Sequence, residues 1–232
     1  MEGGHNFHPA HRHQSKTDPH LPTMVVFDLD DCLWTPEMHE LGGLPSVPVR
    51  GALDPDGDAS DGTPQGAVGL SVPEHRESGR YGRLCGGGDT VRLYDGARRV
   101  LRRLALDPRY RGIVIAAASS SLEPSYSHAC LRGLDVLPGL TLRDMLSYDQ
   151  IGREGKLSSR KTTHFRELER ESGVPFEEML FFDDCNWGDH VGDLKAAYGV
   201  IGQRTPNGLT VQDFEEGLKK YRKVSERRAG PD

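Results

Sequence analysis

The sequence predicts an α/β fold built on a doubly wound parallel sheet, and three observations carry that prediction. Short apolar runs at Met24–Leu29, Gly112–Ala118 and Glu178–Phe182 are continuous rather than alternating, as strands covered on both faces are. Stretches with helical spacing of apolar residues separate them, and strands alternating with helices imply parallel pairing. Each run also stops at acids or hydroxyls: Asp28-Leu29-Asp30-Asp31, then Ser119-Ser120-Ser121, then Asp183-Asp184.

Taken in order, residues 1–22 hold His5, His8, His11, His13 and His20 among Pro and polar residues without periodicity, which reads as a disordered tail. Met24-Val25-Val26-Phe27 is a buried strand rich in β-branched residues. From about 36 to 90 the text is dense in Gly, Pro, Asp and Ser, and is expected to be a partly disordered insertion beside the first strand's end. Asp54, Asp56 and Asp58 resemble the start of a calcium loop, but Gly57 is misplaced and no closing Glu follows. Val100, Leu101 and Leu104 mark a helix after Asp95, whose Arg98, Arg99, Arg102 and Arg103 are expected on a solvated face. The strand over 112–118 is followed by a helix from about Glu123 to Leu131 and a short strand near Leu146-Ser147-Tyr148. Lys161 opens a helix with Phe165 and Leu168 facing inward. After the strand at 178–182 come a helix to about Ala197, a short strand at 199–201, and a final helix with Val211, Phe214, Leu218 and Tyr221 on one face. A domain over 23–225 and a C-terminal tail over 226–232 complete the expected organisation.

Composition narrows the function. The formal net charge of −6 argues against a nucleic-acid surface. No apolar stretch approaches the roughly 18 residues of a membrane span, and no secretory leader is legible. Cys32, Cys85, Cys130 and Cys185 form no CxxC pair, which fits a reducing compartment, so a cytoplasmic protein is expected, with a monomer as the default.

In a parallel sheet the carboxyl ends of all strands lie on one edge, so the polar strand ends can converge. The converging set holds Asp28 and Asp30, the Ser119 hydroxyl, the Lys161 ammonium, and Asp183 with Asp184. Taken singly these are ordinary capping or surface residues. Together they supply a nucleophile, an acid/base, donors for phosphate oxygens and hard oxygen ligands for Mg²⁺.

The ordered set resembles the four motifs of the haloacid dehalogenase superfamily, and more closely its eukaryotic magnesium-dependent phosphatase branch. The matching stretches are Phe27-Asp28-Leu29-Asp30 with Leu33-Trp34, Leu93-Tyr94, Ala116-Ala117-Ala118-Ser119, Lys161-Thr162-Thr163-His164-Phe165, Gly173-Val174-Pro175-Phe176, and Phe181-Phe182-Asp183-Asp184 with Asn186. The resemblance implies a Rossmann-like core with little or no cap. It also implies Asp28 as nucleophile, Asp30 as acid/base, and Ser119 and Lys161 as phosphate ligands. Mg²⁺ would be held by Asp28, the Asp30 main-chain carbonyl, Asp184 and Asp183. The implied substrate is a phosphotyrosine protein or a small sugar phosphate.

Two positions depart from the pattern: Cys32 stands where a small hydroxyl residue is usual, and Ser120 where Arg is common. They leave a catalytically weak or inactive phosphate-binding protein as the alternative. A cysteine-nucleophile phosphatase is excluded, because the residues six positions after the four cysteines are Met38, Val91, Val136 and Val191 rather than Arg.

Overall fold

The computed structural model describes residues 18, 20–56, 62–73 and 89–229. The chain runs β1 (Met24–Phe27), β2 (Trp34–Thr35), β3 (Val47–Ala52), β4 (Gln65–Ser71), β5 (Thr90–Leu93) and α1 (Asp95–Leu106). It continues with β6 (Val114–Ser119), α2 (Pro124–Gly133), β7 (Asp135–Leu137), β8 (Leu140–Thr141), α3 (Leu142–Met145) and β9 (Tyr148–Ile151). Then follow α4 (Lys161–Ser172), β10 (Met179–Asp183), α5 (His190–Tyr198), β11 (Ile201–Arg204) and α6 (Val211–Ala229).

Five strands in the order β11-β10-β1-β6-β9 form the central sheet, every pair parallel. The order runs outward from β1 in both directions, so the switch point of this doubly wound sheet lies at the carboxyl end of β1. Period-two alternation splits each central strand between two cores. Val25 and Phe27 of β1, with Leu180 and Phe182 of β10, join Val100, Leu131 and Phe214 from α1, α2 and α6. Met24, Val26, Met179 and Phe181 pack on the other face with Phe165 and Leu168 of α4 and Leu194 of α5. Phe27 stacks on Phe182 at 5.5 Å, and Phe165 meets Phe181 edge-on at 4.9 Å. Such fully buried rings each cost about 3–5 kcal/mol when truncated to Ala.

Within the segment expected to be an insertion of loop composition, residues 47–52 and 65–71 are strands. β3 and β4 form an antiparallel hairpin that continues through β5 to β2. Only Ala67 and Leu70 of its non-glycine residues are buried, which leaves a thin apolar signal. Its glycines are packing residues: a Cβ on Gly66 would lie 2.8 Å from the Asp135 carboxylate and from Leu53. Asp54 pairs with Arg102 at 3.0 Å, and Asp56 pairs with Arg99. Asp58, Cys85 and the histidines from His5 to His13 lie outside the described residues.

Arg98 corrects the expected solvated face. It is 3% exposed and donates to the carbonyls of Asp135 (2.7 Å) and Val68 (3.3 Å), tying α1 to β4 and β7. Burial lowers its pKa to about 10, still charged at neutral pH. Smaller shifts of boundary occur at β9, which begins at Tyr148, and at β11, which begins at Ile201. α6 continues to Ala229, past the expected start of the tail. Among the described residues no helix is long and apolar enough to cross a membrane.

Candidate active site

All six residues singled out in the sequence sit at the carboxyl edge of the parallel sheet. β1 ends at Phe27, and the chain then turns tightly: the amides of Leu33 and Trp34 donate to the Leu29 carbonyl at 2.8 and 3.2 Å. This turn brings Asp28 and Asp30 to one cavity. Asp31 adopts φ 54°, the left-handed region that L side chains rarely enter, and Cys185 across the site adopts φ 60°. Strain of this kind collects where surrounding structure fixes a site.

Asp28 is 8% exposed; its Oδ1 accepts from the Leu29 amide at 2.8 Å and lies 2.5 Å from Lys161 Nζ. Lys161, the first residue of α4 and 2% exposed, also donates to the Ala118 carbonyl at 2.7 Å and lies 3.5 Å from Asp183 Oδ2. Burial works against its charge, but Asp28 and then Asp183 outweigh burial and raise its pKa. Ser119, the last residue of β6, is 1% exposed and lines the cavity.

Asp183, the last residue of β10, is fully buried, with Oδ1 accepting from the Cys185 amide at 2.8 Å. Its Oδ2 is buried and accepts no hydrogen bond from the described residues. Asp184 Oδ2 accepts from the Asn186 amide at 2.8 Å. Carboxylate oxygens of Asp28, Asp183 and Asp184 lie within 4.8 Å of one another. Three acids therefore face one ammonium. Burial foremost, then the Asp28 charge, raises the pKa of Asp183 and pushes Asp184 up to about 7. Hard oxygens crowded around an orphaned buried acceptor suit a small divalent cation, which would restore their ionised form.

Asp30 lies outside that carboxylate cluster, its Oδ1 accepting from Trp34 Nε1 at 2.7 Å. Burial is the main force raising its pKa to about 7; the Trp34 bond opposes it and Asp28 adds to it. A carboxyl poised there can give and take a proton near neutral pH.

The two departures from the motif pattern have structural answers. Cys32 is fully buried and reaches the Phe182 carbonyl at 3.6 Å, while Thr205 Oγ1 donates to its sulfur at 3.4 Å. Thr205 thus supplements the weak thiol. Ser120 lines the cavity, and its carbonyl accepts from Arg153 Nε at 2.8 Å. Residues the sequence did not single out also line the cavity: Glu37, His39, Arg153, Trp187 and His190. Trp187 Nε1 donates to Glu37 at 2.7 Å, across the site mouth. Of these only Arg153 carried a usable signal, since it follows the end of a parallel strand.

The sequence pattern of the acid phosphatase family matches residues 20–224. Human magnesium-dependent phosphatase 1 is 31% identical over 205 residues, covering 88% of this chain and 89% of its own. A HAD-like hydrolase superfamily protein of Schizosaccharomyces pombe is 23% identical, covering 84% of this chain and 92% of its own. The solved phosphatase-domain part of a Bacteroides fragilis protein, complexed with Mg, has 16% identity and a TM-score of 0.48. It covers 87% of this chain, which in turn spans only 40% of that one. CbbY from Rhodobacter sphaeroides, in complex with phosphate, has 15% identity and a TM-score of 0.42 over 80% of this chain and 87% of its own. The chain belongs to the acid phosphatase family.

Proposed function

We propose that this protein is a Mg²⁺-dependent phosphomonoester hydrolase that works through an aspartyl-phosphate on Asp28. The observation that carries the reading is the buried set of three carboxylates against one ammonium, with Asp183 Oδ2 left without a hydrogen bond. Such a set is costly as pure architecture. It fits a centre that receives a cation and a phosphate dianion together.

Asp28 attacks phosphorus while the ester P–O bond breaks, and Asp30 delivers its proton to the leaving oxygen. Asp30, now ionised, takes a proton from water as that water attacks the aspartyl-phosphate, releasing phosphate and restoring both carboxyl groups. Ser119 donates to a phosphoryl oxygen, and Lys161 holds Asp28 in place while balancing charge on the phosphoryl group. Asp28, Asp183, Asp184 and the Asp30 carbonyl would hold Mg²⁺, which when bound supplies Lewis-acid charge neutralisation between carboxylate and phosphate. The substrate is a phosphotyrosine protein or a small sugar phosphate, both compatible with an open site.

The test is p-nitrophenyl phosphate hydrolysis by wild type and Asp28→Asn, each with Mg²⁺ and with EDTA. Turnover that needs both the metal and Asp28 is the expected result. Absence of turnover in folded wild type with Mg²⁺ would replace this reading with a non-catalytic phosphate-binding protein.

A further inference from the structure

The site cavity, about 230 Å³, is larger than a phosphoryl group needs, and the Arg153 guanidinium lines it. Arg153 is the only Lys or Arg lining the cavity among the described residues; the other titratable lining groups are four acids and the imidazoles of His39 and His190. Several arginines elsewhere, Arg99, Arg102, Arg103, Arg143, Arg170 and Arg204 among them, face a carboxylate. Arg153 faces none among the described residues; its Nε is held by the Ser120 carbonyl, and its Nη groups have no such partner.

Its seat is firm despite the exposed side chain. The neighbouring Gly152 amide donates to the Ser119 carbonyl at 2.8 Å. His164, fully buried on α4, reaches with Nε2 both the Ser119 carbonyl (3.1 Å) and the Gly152 carbonyl (3.0 Å). Two acceptors on one nitrogen require that Nε2 carry the proton. Arg153 is therefore registered to the same strand end that presents Ser119.

The geometry points to Arg153 as the side chain that reads the substrate beyond the transferred phosphoryl group, and to a small phosphomonoester bearing a second anionic group, carboxylate or phosphate, as the substrate class. The inference rests on the hydrolase reading above and sharpens its substrate. A guanidinium fork matches either anion in two-point fashion. Because Arg153 and Asp28 line one small cavity, the second anion and the scissile phosphoryl belong to one compact molecule.

The experiment compares kcat/KM for 3-phosphoglycerate and glycerol 3-phosphate, which differ by a carboxylate, in wild type, Arg153→Gln and Arg153→Lys. Calorimetric binding of both esters to Asp28→Asn, with and without Arg153→Gln, runs in parallel. Wild type is expected to favour 3-phosphoglycerate about tenfold, the value of one charge-assisted hydrogen bond. Arg153→Gln is expected to lose that preference mainly through KM, and Arg153→Lys to keep part of it. A wild-type ratio near one, a ratio unchanged in Arg153→Gln, or an equal fall for both esters (a strut beneath Ser120) overturns the assignment. Preference for an acidic phosphopeptide over both esters overturns it too. If wild type hydrolyses neither these esters nor p-nitrophenyl phosphate, the hydrolase reading fails by itself. Binding then decides Arg153: a calorimetric preference abolished by Arg153→Gln supports it, and equal affinities reject it.

Discussion

Two buried charge clusters in this protein are built on opposite principles. Arg98 lies between α1, β4 and β7, where two carbonyls accept its donors and the nearby Asp135 carboxylate binds the Ala67 amide at 2.8 Å. Its charge is answered, and the result is a rivet between the antiparallel sheet and the core. At the end of β1, Asp28, Asp183 and Asp184 share the single ammonium of Lys161, and Asp183 Oδ2 goes without a hydrogen bond. Balanced burial holds a fold together, whereas unbalanced burial waits for a ligand.

Substitution separates the two most sharply. Asp28→Asn is expected to lower turnover of p-nitrophenyl phosphate by at least about 10³-fold, and Asp30→Asn by about 10²–10⁴-fold. Arg98→Met is expected to leave kcat per folded molecule intact while costing about 2–3 kcal/mol in urea unfolding, because two carbonyls lose their donors. A loss of kcat in Arg98→Met at full folding would merge the clusters and break the comparison. Lys161→Met removes the cation that pairs with Asp28 and Asp183 and is expected to cost about 3–5 kcal/mol in metal-free protein. A cost below that of Arg98→Met would show that the acids do not depend on it.

pH offers a subtler separation. Asp183 and Asp184 have folded-state pKa values raised above those of the unfolded chain, Asp184 to about 7. The folded state binds more protons between these limits, so their contribution to stability is fully present near pH 4 and is lost as pH rises through about 7. Metal-free Tm is expected to fall over that window, and Mg²⁺ is expected to oppose the fall increasingly as pH rises. A flat difference between Mg²⁺ and EDTA melts across pH 5–8 would contradict the assignment of these acids to a cation. The smallest effect belongs to Trp34→Phe: losing the bond that lowers the Asp30 pKa moves the alkaline limb of the kcat profile upward by less than about one pH unit.

The sequence made the site more legible than the periphery. Continuous runs such as Val25-Val26-Phe27 and Leu180-Phe181-Phe182 reveal strands buried on both faces, and acids just beyond them mark the ligand-binding edge. The hairpin of β3 and β4 escaped because exposed Val47 and Pro48 and packed Gly66 and Gly69 spell loop locally, although tertiary contacts make them strand. Arg98 was hidden for a related reason, since four arginines on one helix look alike until the docking of β7 buries one of them. Trp187 and Glu37 are far apart in sequence and meet only through the turns after β10 and β2.

The most direct test of the unbalanced cluster as a phosphoryl-transfer centre is peptide mapping by mass spectrometry after rapid acid quench of turnover. Asp30→Asn, in which release of the intermediate is slowed, is compared with wild type in Mg²⁺. A phosphate adduct on Asp28, enriched in Asp30→Asn and absent in EDTA, is the predicted result. An adduct on another residue, or turnover with no adduct in either protein, would contradict Asp28 as the nucleophile.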